Sequence, residues 1–238
     1  MINLETSKLL ISIITFFIAY LFSVTIAGSF KAWVADKMGD DTAAMFGLLT
    51  LNPIAHVDIF GLIILLFFFF GWGRHVPINP FNIHDPYRKL KIAAAYMADT
   101  FAYLASALIG IIILIIGFGP RMLFVAREML ICIQKMTHIF IVNECPTLSS
   151  FGIVVAFIVI AFVYLNVVLG VLTGIMNVVS VSMIALMDRS TFINQYHDSI
   201  VIIVPIITIL FFSEMLRIFA INLISMVGLM IAYMLPIA

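Results

Sequence analysis

Apolar residues fall in long uninterrupted runs along this chain, and isolated polar residues mark where the runs end. The first run, residues 9 to 30 (LLISIITFFIAYLFSVTIAGSF), carries no charge and lies between Lys8 and Lys31. At about 1.5 Å per residue, a helix of that length crosses the roughly 30 Å hydrocarbon core of a bilayer. It is too long for a signal peptide and has no small-residue cleavage pattern, so a retained helix is expected. From 31 to 56, charges including Asp36, Lys37, Asp40 and Asp41 alternate with short apolar stretches, a pattern suited to the membrane interface. Residues 57 to 72 are apolar again but few, with Asp58 near their start and Trp72 at their end; a re-entrant segment is expected there.

The second long span is 92 to 118, broken only by Asp99. From 121 to 142, Arg127, Glu128, Gln134, Lys135 and His138 recur at helical spacing. This predicts an amphipathic helix, either on the outer surface or packed against neighbouring spans. The run from Ser149 to Asp188 is too long for one simple crossing, so a break is expected near Gly170, Gly174 and Asn177. Gly170 and Gly174 also form a GxxxG pair that permits close helix approach. Residues 199–212 and 218–235 flank Glu214 and Arg217, as two short helices or one long tilted helix with an interfacial tail. The expected fold is all-α: one polytopic membrane domain over 1–238, with about four to six transmembrane helices.

Composition sharpens the class: 64% of residues are hydrophobic, 10% are charged, and mean hydropathy is +1.24. A water-soluble domain needs far less apolar surface, so this is an integral, multi-pass membrane protein whose first environment is the lipid bilayer. Zero formal net charge argues against a nucleic-acid partner reached through a basic surface. Cys132 and Cys145 show neither metal-type nor redox-type spacing, and would pair only if their loop met an oxidising compartment. The densest positive charge, Arg74, Arg88, Lys89 and Lys91 in loop 73–91, predicts that this loop is cytoplasmic and the N-terminus outside. Pro77, Pro80 and Pro86 keep that loop extended.

Two stretches carry a resemblance. Thr50 to Gly61 reads TLNPIAHVDIFG, and Phe70 to Pro80 reads FGWGRHVPINP. These segments resemble the compact branch of the site-2 protease family, the intramembrane zinc peptidases, whose members carry TLNPLAHIDPIG followed by FGWAKPVPVNP. Upstream in that branch stands a segment of the type HEYAHGYVAYRLGDPTA. Aligning on Gly39-Asp40 and Thr42-Ala43 puts its HExxH metal motif on Ala27-Gly28-Ser29-Phe30-Lys31. The resemblance thus implies that Ala27 and Lys31 replace two zinc ligands and Gly28 the glutamate base. The family's GPxxN pattern falls on Tyr96, Met97 and Thr100 and is also lost. Its third ligand, the aspartate of a motif like NLLPIPPLDG, falls on Ala185 when Asn177 anchors the alignment, with Asp188 three residues on.

A catalytic zinc needs three protein ligands, an open water position and a base, and these substitutions remove most of that set. No metal or other cofactor is therefore expected, and the chain reads as a degenerate peptidase rather than an enzyme. The resemblance implies a substrate cleft lined by Asn52, Pro53, His56, Asp58, Trp72, Pro77, Asn79 and Pro80. His56 and Asp58 read first as residues that fix the re-entrant backbone; His75, where the family has proline, and His84 lie near the same cleft. Asp99, on the order of 10 Å into its helix, needs a partner. Lys31 is the candidate, pairing with Asp99 or Asp58 as structural cement, unless it snorkels to the interface. The function expected is binding of other transmembrane segments, as a structural or regulatory subunit of a membrane complex. A zinc peptidase with rearranged ligands and a transporter or channel component are the alternatives.

Overall fold

The computed structural model describes residues 4–69, 71–84, 86–120, 122–123, 125–127, 150–187, 215, 218–231 and 233. Three helices are long and apolar enough to cross a membrane: α1 (Leu4–Lys37), α5 (Arg88–Phe118) and α6 (Ser150–Met187). Between α1 and α5 lie α2 (Thr42–Met45), α3 (Pro53–His56) and α4 (Ile59–Phe68); a shorter apolar helix, α7 (Ile218–Ile231), follows α6. The protein is an all-α polytopic membrane protein. Among the described residues, the β-structure is a single isolated bridge.

The three long helices form one bundle. Gly110 faces Val163, Gly170 faces Leu104 and Tyr103, and Gly174 faces Thr100, so α5 and α6 run antiparallel. Ser23 meets Asn166 and Lys31 meets Asn177, so α1 and α6 run parallel. Phe16, Tyr20, Leu114, Ile115, Ile160 and Leu165 are fully buried between them. The Phe16 ring meets Phe69, Phe157 and Tyr164 edge-on, an arrangement suited to aromatic quadrupoles.

Two boundaries differ from the sequence expectation. α1 does not stop at residue 30 but runs to Lys37, because Lys31 is 4% exposed and turned into the bundle rather than standing at an interface. α6 is one unbroken helix of 38 residues, about 57 Å, instead of breaking near Gly174. Its glycines serve contact with α5, Thr173 donates back to the Leu169 carbonyl, and no proline interrupts it. Of the expected helix 121–142, Met122, Leu123 and Val125–Arg127 are described; Met122, Leu123, Val125 and Ala126 are buried in the core. Cys132, Cys145, Asp188, residues 199–212, Glu214 and Arg217 lie outside the described residues.

Segment 57–72 is a hairpin. Asn52 caps α3 by accepting from the Ile54 amide, and Asp58 caps α4 by accepting from the Gly61 amide at 2.8 Å. α4 runs for 10 residues, about 15 Å, and ends at Phe69 in the left-handed region (φ 56). The chain then doubles back. Val57 bridges Gly73 in antiparallel sense, and the Arg74 amide donates to the His56 carbonyl at 2.7 Å. Gly61 and Gly71 permit the close return, since a Cβ on Gly61 would strike the Trp72 carbonyl and one on Gly71 the Gly61 carbonyl. Tyr20 fastens both limbs to α1: its hydroxyl donates to Trp72 O (2.9 Å) and accepts from the Asp58 amide (3.4 Å). Entry and exit touch, so both ends of the hairpin lie at one level along α1.

Candidate functional site

The return limb climbs along α1 toward Lys37, and each step has a named contact. Gly73 lies against Val24, His56 against Gly28, Thr50 against Ser29, and Asn79 against Asp40. The two stretches that carry the resemblance are therefore laid side by side on the second half of α1. Asp40 explains how. It is fully buried and accepts from Thr42 N and Oγ1, from Asn79 N (2.7 Å) and from Asn82 Nδ2 (3.0 Å). An ionised carboxylate with that many donors is well satisfied without a cation. It ties the Gly39-Asp40-x-Thr42 turn to the Pro77–Pro80 limb.

Ala27, Gly28 and Lys31 occupy the face of α1 that this frame surrounds. Ala27 is buried in the core and offers no donor atom. Gly28 is covered by the His56 ring, whose Nδ1 lies where a Cβ on Gly28 would project. His56 is 1% exposed. Its Nε2 lies 2.8 Å from the Thr50 carbonyl and 3.0 Å from Ser29 Oγ, while the Ser29 hydroxyl donates to the same carbonyl at 2.5 Å. A carbonyl only accepts, so Nε2 carries the proton and Nδ1 keeps a lone pair. That Nδ1 has no hydrogen-bond partner and is blocked by Gly28. Ser29 and His56 therefore form a backbone clasp and not a nucleophile–base pair, because the nitrogen facing the hydroxyl is the protonated one.

Lys31 sits one turn on. Its Nζ lies 2.9 Å from Asp99 Oδ2, 3.4 Å from Asn177 Oδ1, and 5.9 Å from the centre of the Tyr96 ring. Asn177 Nδ2 donates to Asp99 Oδ1 (2.7 Å) and to Thr100 Oγ1 (2.9 Å), and Thr100 Oγ1 is 3.2 Å from Thr173 Oγ1. One ammonium, one carboxylate, one carboxamide and two hydroxyls thus knit α1, α5 and α6 at a single level. The ion-pair side chains are 5% and 14% exposed, so Lys31 does not snorkel and Asp99 is its partner. Asp58, the other candidate partner, is the α4 cap.

The remaining predicted residues divide. His75 faces the same region: protein atoms crowd its ring, and this, ahead of the Lys31 charge, holds its imidazole below the ordinary value while Asp99 pulls the other way. Its outer edge stays exposed, as do Asn52 and Pro53. Trp72, Pro77, Asn79 and Pro80 line the return limb and are half-buried. His84 contributes its carbonyl to Lys91 Nζ. Ala185 is not brought to the Lys31 level: the α6 residue there is Asn177, and eight further residues of unbroken helix carry Ala185 about 12 Å away. Thr173 and Tyr20 carried no expectation, and Asn177, Thr100 and Asp40 entered as alignment positions, a helix break or an interface charge and not as site residues. Only polar residues inside apolar helices hinted at Asn177, Thr100 and Thr173.

These residues do not fit a zinc ion. The positions matched to the metal motif present a methyl, a bare backbone and an ammonium already bonded to a carboxylate. Among the described residues, no three of His, Cys, Asp or Glu come together in a way that could hold a metal.

Comparison with known proteins agrees with the resemblance. Over 108 residues the chain is 39% identical to the Bacillus subtilis (strain 168) protein described as "Putative zinc metalloprotease YwhC". The match takes in 44% of this chain and 48% of that protein, so the chain spans about half the length of the curated relative it matches. It supports a site-2-protease-like relationship. No family model matches the chain, and no solved structure matches it.

Proposed function

We propose that this chain is a site-2-protease-like membrane protein that has given up peptide hydrolysis and holds other transmembrane segments, as a subunit of a membrane complex. The observation that carries the reading is the Lys31–Asp99–Asn177 network at the place where the resemblance puts the metal centre. An ammonium there repels a divalent cation, and the position that the resemblance matches to the glutamate base, Gly28, has no side chain. The frame around it is intact. Asp40, Tyr20 and the two helix caps keep the re-entrant hairpin and its return limb beside α1. A cleft that keeps its walls and loses its catalyst is suited to binding. Loop 73–91 faces the cytoplasm in this reading, as its basic residues imply.

The test pairs two measurements on the full chain in mild detergent or nanodiscs. Incubation with a fluorogenic transmembrane test substrate yields no cleavage above the buffer rate. Purification from its native membrane brings down a membrane protein in fixed proportion. Zinc-dependent cleavage lost on chelation and restored by zinc alone contradicts the proposal.

A further inference from the structure

The start of α5 carries charges that the helix itself does not favour. Arg88, Lys89 and Lys91 stand there, with no acidic residue in the first turn and no side-chain cap. A helix dipole is positive at this end, so cations here cost stability instead of adding it. Among the described residues, no carboxylate pairs with any of the three. Two of them are oriented by the preceding loop. Arg88 Nε donates to the Ile83 carbonyl and Nη2 to the Pro80 carbonyl, both at 3.0 Å, and Lys91 Nζ donates to the His84 carbonyl at 3.2 Å. Carbonyls orient a cation without neutralising it, and the remaining guanidinium donors stay open. Lys89 is exposed. Large apolar side chains stand among these charges: Phe81 is 72% exposed, Tyr87 77% and Leu90 69%.

Helix length says what such a cluster meets. α5 has 31 residues, about 46 Å, against roughly 30 Å of hydrocarbon, so its ends reach headgroup level. Basic side chains beside exposed aromatic rings suit that level, because rings settle between headgroups and acyl chains while cations meet phosphate. We propose that Arg88, Lys89 and Lys91, with Phe81, Tyr87 and Leu90, form a docking site for the headgroup of an anionic phospholipid. Arg88 presents a planar fork to the phosphodiester oxygens, and Lys89 adds an ammonium on a long stem. Phe81, Tyr87 and Leu90 lie against the first acyl carbons. A soluble acidic partner would meet the charges and leave the three apolar side chains in water; a lipid satisfies both. The site does not depend on the binding role proposed above.

The full chain is purified in mild detergent doped with equal amounts of phosphatidylglycerol and phosphatidylcholine of matched acyl chains, and its bound lipid is read by native mass spectrometry. Phosphatidylglycerol adducts are expected to exceed phosphatidylcholine adducts by on the order of tenfold at low salt. Lys89→Glu, at an exposed side chain, should lower that preference about fivefold, and Lys89→Gln with Lys91→Gln should bring it near parity. Lys37→Gln removes a cation that already lies 3.8 Å from Asp36 at the end of α1, and should leave the preference unchanged. Equal adducts on the unmodified chain overturn the proposal. A preference that survives Lys89→Glu overturns it too, as does one lost equally in Lys37→Gln, which would spread it over the whole basic surface. Displacement of phosphatidylglycerol by inorganic phosphate alone assigns the cluster to a free anion and overturns the lipid assignment.

Discussion

Two carboxylates, one fully buried and one half-buried, divide the molecule between them. Asp40 is met by hydrogen-bond donors alone, from Thr42, Asn79 and Asn82, and it holds loop backbones in place. Asp99 is met by an ammonium and a carboxamide, from Lys31 and Asn177, and it holds whole helices in place. The first lies within a stretch that still reads like a working intramembrane peptidase; the second lies where that likeness fails. The contrast teaches what each kind of residue is for. Asp40, Asn79 and their neighbours keep the return limb in place whatever the chemistry beside it, because the backbone there needs their hydrogen bonds. The position that the resemblance matches to a metal ligand, Lys31, sits among three packed helices, and there an ion pair with its hydrogen bonds joins them.

The comparison can be broken from either side. The largest effect is expected at Asp99, where Asp99→Ala leaves the Lys31 ammonium buried and unpaired and should cost about 3–5 kcal/mol in denaturant titration. The double variant Lys31→Met with Asp99→Leu should recover most of that loss, since a buried pair and a well-packed apolar pair are often of similar stability. If the double variant is as unstable as the single one, the network does more than join helices. At Asp40, Asp40→Ala orphans three amide donors at once and should cost about 2–3 kcal/mol, with the return limb newly open to protease. Unchanged protease resistance there would detach Asp40 from the limb.

A smaller effect is expected at Gly28. Gly28→Glu drives a side chain into the His56 ring and should destabilise by about 1–3 kcal/mol. A second change, His56→Ala, should relieve part of that cost; a stable single variant would mean that the His56 ring does not fill the space a side chain on residue 28 would take. The smallest effect concerns pH. The fold holds His75 below its ordinary value of 6.5, so it favours the neutral ring. Stability from this source is present above pH 6.5 and is lost as pH falls below it. The melting temperature of His75→Gln should therefore fall less on acidification than that of the unmodified chain.

Much of the architecture was legible because membranes impose long apolar runs, and charges such as Lys8, Arg88 and Lys91 punctuate them. The hairpin could be read from its shortness, and its two glycines, Gly61 and Gly71, sit where backbones cross. Asp99 stood out as a charge inside an apolar run, and Lys31, read at the end of its span, stood out as its candidate partner. What sequence hid was contact between distant helices. Asn177 entered as an alignment anchor and a helix break, yet it closes the network from 146 residues beyond Lys31. Gly170 and Gly174 suggested both a break and a close helix approach; the break is absent, and the glycines let α5 approach α6. The Asp40-x-Thr42 spacing hints at a local turn, but nothing local announces Asn79 and Asn82 as its partners.

The central claim is that an ion pair, and not a metal, occupies the middle of this bundle. Zinc content of the full chain, extracted in mild detergent without chelator and measured by elemental analysis, tests it most directly. The account predicts less than about a tenth of a zinc ion per chain, far short of the one that a catalytic centre holds. Close to one zinc per chain, retained through gel filtration, would contradict it.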